Sequence, residues 1–224
     1  AKAKAMFLAS HRLNAHGLLP AQKIEAATVA AGGDVIETSE AIIAKLSGKS
    51  NPQSIIGIYA DHPVPLAELD RSTANIWLVA QALRDPGNLG TILRTGDAVG
   101  AGGLILIDDC VDPFSVEAVR ASMGAIFTQT VSQARWPDFL AWLRNGPGEL
   151  VGTSLNTDKD YQSVRYQAPV FLLIGNEAQG LPGEYEAECD LLVKMPMMGK
   201  ADSLNAAVAA SVMAYEVLNQ GRRD

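Results

Sequence analysis

The sequence predicts an α/β protein whose larger part is a parallel sheet with helices between its strands. Three observations predict it. The apolar runs Ile76–Ala80, Leu104–Ile107 and Phe171–Ile174 lack the apolar/polar alternation of a strand wetted on one face, so they are buried on both faces, as parallel strands are. Between such runs lie stretches long enough for helices, Gly87–Ala98 above all, so that strand, helix and strand follow one another along the chain. Phe171–Ile174 and a later apolar run, Leu191–Val193, then lead into Gly- or Pro-bearing loops, Gly175–Gly180 and Met195–Met197, and in open α/β sheets ligands gather at such carboxyl ends.

In chain order, Ala5–Ala9 predicts a short strand, Pro20–Ala31 a helix opened by its proline and stopped by Gly32-Gly33, and Val35–Glu37 a second strand. Ser39 is the expected N-cap of a helix through Leu46, and Ser54–Ala60 is a strand rich in β-branched residues. Together these form a small α/β unit over residues 1–68. Asp61–Thr73, which carries Pro63 and Pro65, predicts a linker. The larger unit, 75–224, opens with the strand Ile76–Ala80, the helix Gly87–Ala98 and the strand Leu104–Ile107. A helix over Ser115–Ser122, a strand over Ala125–Val131 and a helix over Trp136–Arg144 come next. Strands Glu149–Thr153, Pro169–Ile174 and Asp190–Val193 precede a long closing helix, Ser203–Asn219.

Composition excludes several classes of function. With 48% hydrophobic and 19% charged residues among 224, the chain is neither disordered nor fibrous. No apolar run approaches the ~20 residues of a membrane span, and Ala1–Ala5 lacks the apolar core of a signal peptide, so a cytoplasmic location off the membrane is expected. The two cysteines, Cys110 and Cys189, sit in no C-x-x-C and beside no histidine, which predicts neither a disulfide framework nor a metal site. All three histidines (His11, His16, His62) precede residue 70, so any later chemistry proceeds without imidazole. A net charge of −7 argues against a general nucleic-acid binder, because phosphate neutralisation needs clustered cations. Lys2, Lys4, Arg12, Arg84 and Arg94 supply positive charge only locally, which predicts modest, salt-sensitive RNA affinity.

The loops after the late strands suggest what they hold. Gly175 and Gly180 permit close backbone approach, while Met195, Met197 and Met198 offer polarizable surface to a flat ring or a thioether. Ser203 stands where the N-cap of the closing helix is expected, and free N–H groups there favour an anion. The combination predicts a slot for a small organic cofactor.

Three motifs in order carry a resemblance. Asn88–Thr95 reads N-x-G-x-x-x-R-T, Gly175–Gly180 reads G-x-E-x-x-G, and a Met-Pro loop at Met195–Met197 is followed by Ser203-Leu204-Asn205. Together they resemble the SpoU/TrmH family of RNA ribose 2'-O-methyltransferases. The resemblance implies the SPOUT fold, a parallel sheet whose C-terminal part closes a trefoil knot, and a homodimer formed through the C-terminal region. It implies S-adenosylmethionine as methyl donor and RNA as partner, ribosomal RNA favoured over transfer RNA. Residues 1–68 are similar to the family's substrate-binding domain with a ribosomal-protein-like fold, but the opening strand and helix of that domain are missing, so an incomplete RNA-binding domain is expected.

By the same resemblance Arg94 is the catalytic arginine, with Asn88, Glu177, Ser203 and Asn205 ordering the site around it. Ile174, Gly175, Gly180, Met195, Met197, Ser203 and Leu204 are the expected cofactor contacts. Each motif also has a plain structural reading. Arg94 near the end of its helix complements the dipole, Asn88 caps that helix, Glu177 is a turn acid, and Ser203 and Asn205 are caps. Guanidinium stays charged, which favours stabilisation of phosphate and alkoxide over proton abstraction. Two rivals remain. One is a catalytically silent RNA-binding or ribosome-assembly protein of the same fold; the other is a nucleotide-dependent oxidoreductase, disfavoured because no G-x-G-x-x-G follows the first strand of the larger unit.

Overall fold

The computed structural model describes residues 2–13, 15–60 and 62–223. Ala1, Asp61 and Asp224, which bound the expected units and linker, lie outside the described residues, as does the Arg12 side chain. The chain divides into two compact units between His62 and Pro63.

In the first unit, β1 (Ala3–Leu8), α1 (Ala15–Ala30), β2 (Asp34–Glu37), α2 (Glu40–Ser47) and β3 (Ile55–Tyr59) follow in order. Strand β1 is central, parallel to β2 and antiparallel to β3. Ser39 caps α2 by accepting from the Ile42 amide, and Gly48 closes it in the left-handed conformation, as its lack of Cβ allows. Pro20 does not open α1. The helix begins at Ala15 and carries Pro20 inside it, where the proline forgoes the bond to the residue four before it.

The second unit contains β4 (Ile76–Gln81), α3 (Pro86–Val99), β5 (Gly103–Ile107), α4 (Val116–Ala121), β6 (Thr130–Ala134) and α5 (Trp136–Arg144). After these come β7 (Glu149–Thr153), β8 (Val170–Ile174), α6 (Gly183–Glu186), β9 (Leu191–Val193) and α7 (Ala206–Arg223). Their six-stranded sheet has the order β6-β5-β4-β8-β7-β9 and is parallel throughout. Strands β4, β5 and β8 are buried at every residue, which is the physical meaning of their unbroken apolar runs. One apolar core joins Leu78, Leu104 and Leu172 on one face of the sheet to Leu89, Ile92 and Leu93 of α3 and Met213 of α7. On the other face Trp77, Phe171 and Leu173 pack against Trp136, Phe139 and Leu143 of α5 and Tyr185 of α6.

Two expectations are corrected here. The stretch Val64–Thr73 is not a free linker: Val64 donates to Val131 O at 2.8 Å, and Arg71 reaches the carbonyls of Trp142 and Leu143 at 2.7 and 2.9 Å while lying over the Trp142 ring. Its prolines mark an irregular but seated segment. Ala125–Phe127 is a 3-10 turn rather than the start of a strand, because Met123 (φ 51°) and Gly124 (φ 97°) reverse the chain just before it; β6 begins at Thr130.

Order along the sheet places the site. Strands β4 and β8 are neighbours, so the loops leaving them meet at one sheet end. Helix α7, which follows the edge strand β9, packs back against α3, β4 and β8.

Candidate functional site

Helix α3 positions the first motif. Asp85, not Asn88, is its N-cap: the Asp85 Oδ1 accepts from the Asn88 amide at 2.6 Å, and Pro86 occupies the first helical turn. Asn88 is therefore free to work with its side chain. Its Nδ2 donates to Glu177 Oε1 at 3.0 Å, and its Oδ1 accepts from Asn205 Nδ2 at 2.8 Å. Asn205 in turn turns its Oδ1 to the amides of Ala207 and Val208, at 2.9 and 3.3 Å, and so caps α7. Ser203 lies in the exposed loop before the helix and does not cap it. Both residues are good cap types; the bond to Asn88 is what favours Asn205.

These bonds have only one consistent direction. A carboxylate only accepts, so Glu177 fixes which end of the Asn88 amide faces it, and Asn88 then fixes Asn205. A single chain of side chains thus joins the three motifs.

Glycines let the second motif turn. A Cβ on Gly175 would stand 2.4 Å from the Gly180 carbonyl carbon and 2.5 Å from the Leu181 amide nitrogen, so only glycine fits where the loop folds back. Asn176 holds this loop, with its Nδ2 donating to Ala82 O at 2.8 Å and its Oδ1 accepting from the Ala178 amide at 2.9 Å.

The loops after β7, β8 and β9 enclose a cavity of about 520 Å³. Every expected cofactor contact lines it: Ile174, Gly175 and Gly180 from the β8 side, Met195 and Met197 after β9, and Ser203 and Leu204 before α7. Glu177 lines it as well. Asn88, Asn205 and Arg94 do not. Arg94 is exposed in the middle of α3, short of its last turn, so the helix dipole does not explain it. Among the described residues it makes no hydrogen bond or ion pair.

Several wall residues were missed. Ser154, Leu155 and Asn156 follow β7, and Glu186 ends α6. Ser154 Oγ donates to Glu186 Oε1, and Asn156 Nδ2 donates to Glu186 Oε2 at 3.0 Å. The signal for them was the rule already applied to β8 and β9: β7 is a third strand whose carboxyl end opens on the same rim.

Neither cysteine supplies a nucleophile. Burial pushes the Cys110 thiol up, and burial reinforced by Asp190 pushes Cys189 up to about 12. Among the described residues no group of His, Cys, Asp and Glu is placed to hold a metal ion. Among the described residues no helix is long and apolar enough to cross a membrane.

The profile of the SpoU rRNA Methylase family matches residues 75–215. A 23S rRNA guanosine 2'-O-methyltransferase of Bacillus subtilis is 31% identical over 179 residues, 80% of this chain and 70% of that protein. A 23S rRNA uridine 2'-O-methyltransferase of Streptomyces viridochromogenes is 38% identical over 141 residues, 60% of this chain and 49% of its own. The chain thus spans between half and about seven tenths of these curated relatives. Among solved structures, the AdoMet-bound rRNA methyltransferase of Sinorhizobium meliloti superposes with a TM-score of 0.89 at 37% identity, covering 97% of this chain and 80% of that one.

Proposed function

Because the chain belongs to the SpoU rRNA Methylase family, we propose that it transfers a methyl group from S-adenosylmethionine to a ribose 2'-hydroxyl of RNA, ribosomal RNA favoured over transfer RNA. The observation that carries this reading is the side-chain run Glu177–Asn88–Asn205, which ties all three motifs to the rim of one cavity.

The donor fits that cavity. Its volume of about 520 Å³ is within the range of small-molecule sites, roughly 300–1,000 Å³. Its wall offers methionine and leucine surface to a ring and a thioether-like chain, with glycine backbone for close approach. Ile174, Gly175, Gly180, Met195, Met197, Ser203 and Leu204 hold it. When bound, the donor supplies an electrophilic methyl that needs no metal or covalent enzyme intermediate.

The protein then contributes alignment and charge. Orientation of two reactants is worth about 7–11 kcal/mol in well-placed cases. Asn88, Glu177, Ser203 and Asn205 fix the rim against which the ribose is set. Arg94 stabilises the developing alkoxide and the neighbouring phosphate. Because Arg94 is not on the cavity wall of its own chain, the reading places it there across a homodimer. The exposed Val208 and Tyr215, seven apart on α7, supply an apolar stripe for that contact.

A trefoil knot belongs to the same reading. Its support is the return of α7 from the edge strand to the sheet centre, where Gln220 Nε2 donates to Val164 O at 3.0 Å in the long β7–β8 connection. The first unit, with Lys2 just before β1, Lys4 on it and Lys23 on α1, binds the substrate RNA.

Titration calorimetry with S-adenosylmethionine tests the donor, and mapping of 2'-O-methyl sites in RNA from cells lacking the protein tests the reaction. Folded protein at micromolar concentration that gives no heat, or an unchanged methylation map, overturns the reading.

A further inference from the structure

The cavity wall is acidic on balance. Glu177, Glu186 and Asp202 line it, against Lys194 as the one lining cation, and the Lys194 Nζ is drawn to Asp158 at 3.1 Å. Glu177 is committed to Asn88. Glu186 is held from two sides, by the Ser154 hydroxyl on Oε1 and by the Asn156 amide on Oε2, so its charge is fixed in the wall rather than swinging into solvent. We infer that Glu186 is a charge-selecting residue, which makes the cavity bind the cationic methyl donor more tightly than the neutral sulfide left after transfer. This rests on the donor reading above.

The physics follows from what changes on transfer. The methyl leaves without the C–S bonding pair, which stays on sulfur, so the sulfonium charge disappears. The amino-acid tail and the nucleoside are common to donor and product, and their contacts cancel in the comparison. Glu186 lines the cavity, so its charge lies nearer than the ~8 Å Debye length of physiological salt to the part of the cavity it borders and is only partly screened there. An opposite charge at such range in a partly wet site is worth on the order of a tenfold preference. The consequence is that spent product leaves readily, while fresh donor displaces it.

Calorimetry on the whole chain tests this with S-adenosylmethionine, S-adenosylhomocysteine and sinefungin, which carries an ammonium where the donor has its sulfonium. Glu186→Gln keeps the shape and removes the charge. The expected result is a five- to tenfold loss of affinity for S-adenosylmethionine and sinefungin, with S-adenosylhomocysteine unchanged within twofold. Equal losses for all three, or none, overturn the inference and leave the donor reading standing. No binding of any of them to the unsubstituted protein overturns the donor reading itself. Should Glu186→Gln fail to fold by circular dichroism, the salt dependence of the unsubstituted protein decides. Donor affinity then falls more steeply than product affinity as salt is raised toward 1 M, where the Debye length shrinks to ~3 Å, and parallel slopes overturn the inference.

Discussion

Asn88 donates to Glu177 at 3.0 Å and accepts from Asn205 at 2.8 Å, so one amide sits between a loop acid and the cap of the closing helix. The bond to neutral Asn205 contributes only about 0.5–1.5 kcal/mol to stability and the one to the Glu177 carboxylate about 1.5–3 kcal/mol, yet a 1 Å misplacement near a reacting centre costs about a hundredfold in rate. Rate is therefore the more sensitive readout. Asn88→Asp removes the donor and sets a carboxylate against Glu177. It is expected to lower kcat for RNA methylation by about a hundredfold, with donor affinity changed by less than about threefold, because Asn88 does not line the cavity. A loss seen mainly as weaker donor binding in calorimetry would place Asn88 in the wrong role.

Gly90, the glycine of the first motif, is a packing residue. A Cβ there would lie 2.5 Å from Ala118 O, 2.5 Å from Ala121 Cβ and 2.7 Å from the Ser122 nitrogen, all on or beside α4. Alanine gains up to about 1 kcal/mol of helix propensity over glycine, but overpacking against backbone costs about 1–3 kcal/mol or more. The steric effect wins. Gly90→Ala is expected to lower Tm by roughly 2–8 °C for a domain of this size, read by circular dichroism. An unchanged or higher Tm would show that α3 and α4 part at no cost.

Much of the fold was legible because buried parallel strands write themselves as unbroken apolar runs, and β4, β5 and β8 are such runs. The cavity was legible in part for the same reason: the residues just after β8 and β9 lie at the sheet end whatever the rest of the chain does. Ser154 and Asn156 follow β7 and were open to the same rule, but Glu186 was not legible, since nothing local in the sequence pairs it with a serine 32 residues away. Cap assignment failed where two suitable residues stood close together. Asp85 and Asn88 are both good caps, as are Ser203 and Asn205, and the choice in each case is made by the partner that Asn88 finds across the fold. Ala125–Phe127 is apolar without being a strand, because the chain reversal just before it is begun by the positive φ of Met123, a residue whose type does not announce it.

Arg94 gives a prediction that separates chemistry from folding. It is exposed and, among the described residues, unpaired, so substitution is expected to change stability by less than about 0.5 kcal/mol. Arg94→Lys keeps the charge but loses the planar fork that meets a phosphate with two parallel bonds. Single-turnover methylation is expected to slow by at least about tenfold in Arg94→Lys, and further in Arg94→Ala, while Tm and donor affinity stay put. Methylation at the unsubstituted rate in Arg94→Ala would remove the arginine from the mechanism.

Cysteine reactivity reports the packing behind the cavity. Burial raises the Cys110 thiol, and burial with Asp190 beside it raises Cys189 to about 12. A raised thiol pKa means less thiolate at any given pH, and the thiolate is the species that alkylates; at pH 8 a thiol of pKa about 12 is ionised only about once in ten thousand. Iodoacetamide labelling of Cys189 in the native protein is therefore expected to be slow at pH 8 and to quicken about tenfold per pH unit up to pH 10. In guanidinium chloride both cysteines return to ordinary thiol behaviour, pKa about 8.5, and label within minutes. Rapid native labelling of Cys189 at pH 8, followed by mass spectrometry of the peptide, would mean that β7 and α6 do not close over the sulfur as they do here, where it donates to Tyr185 O at 3.3 Å.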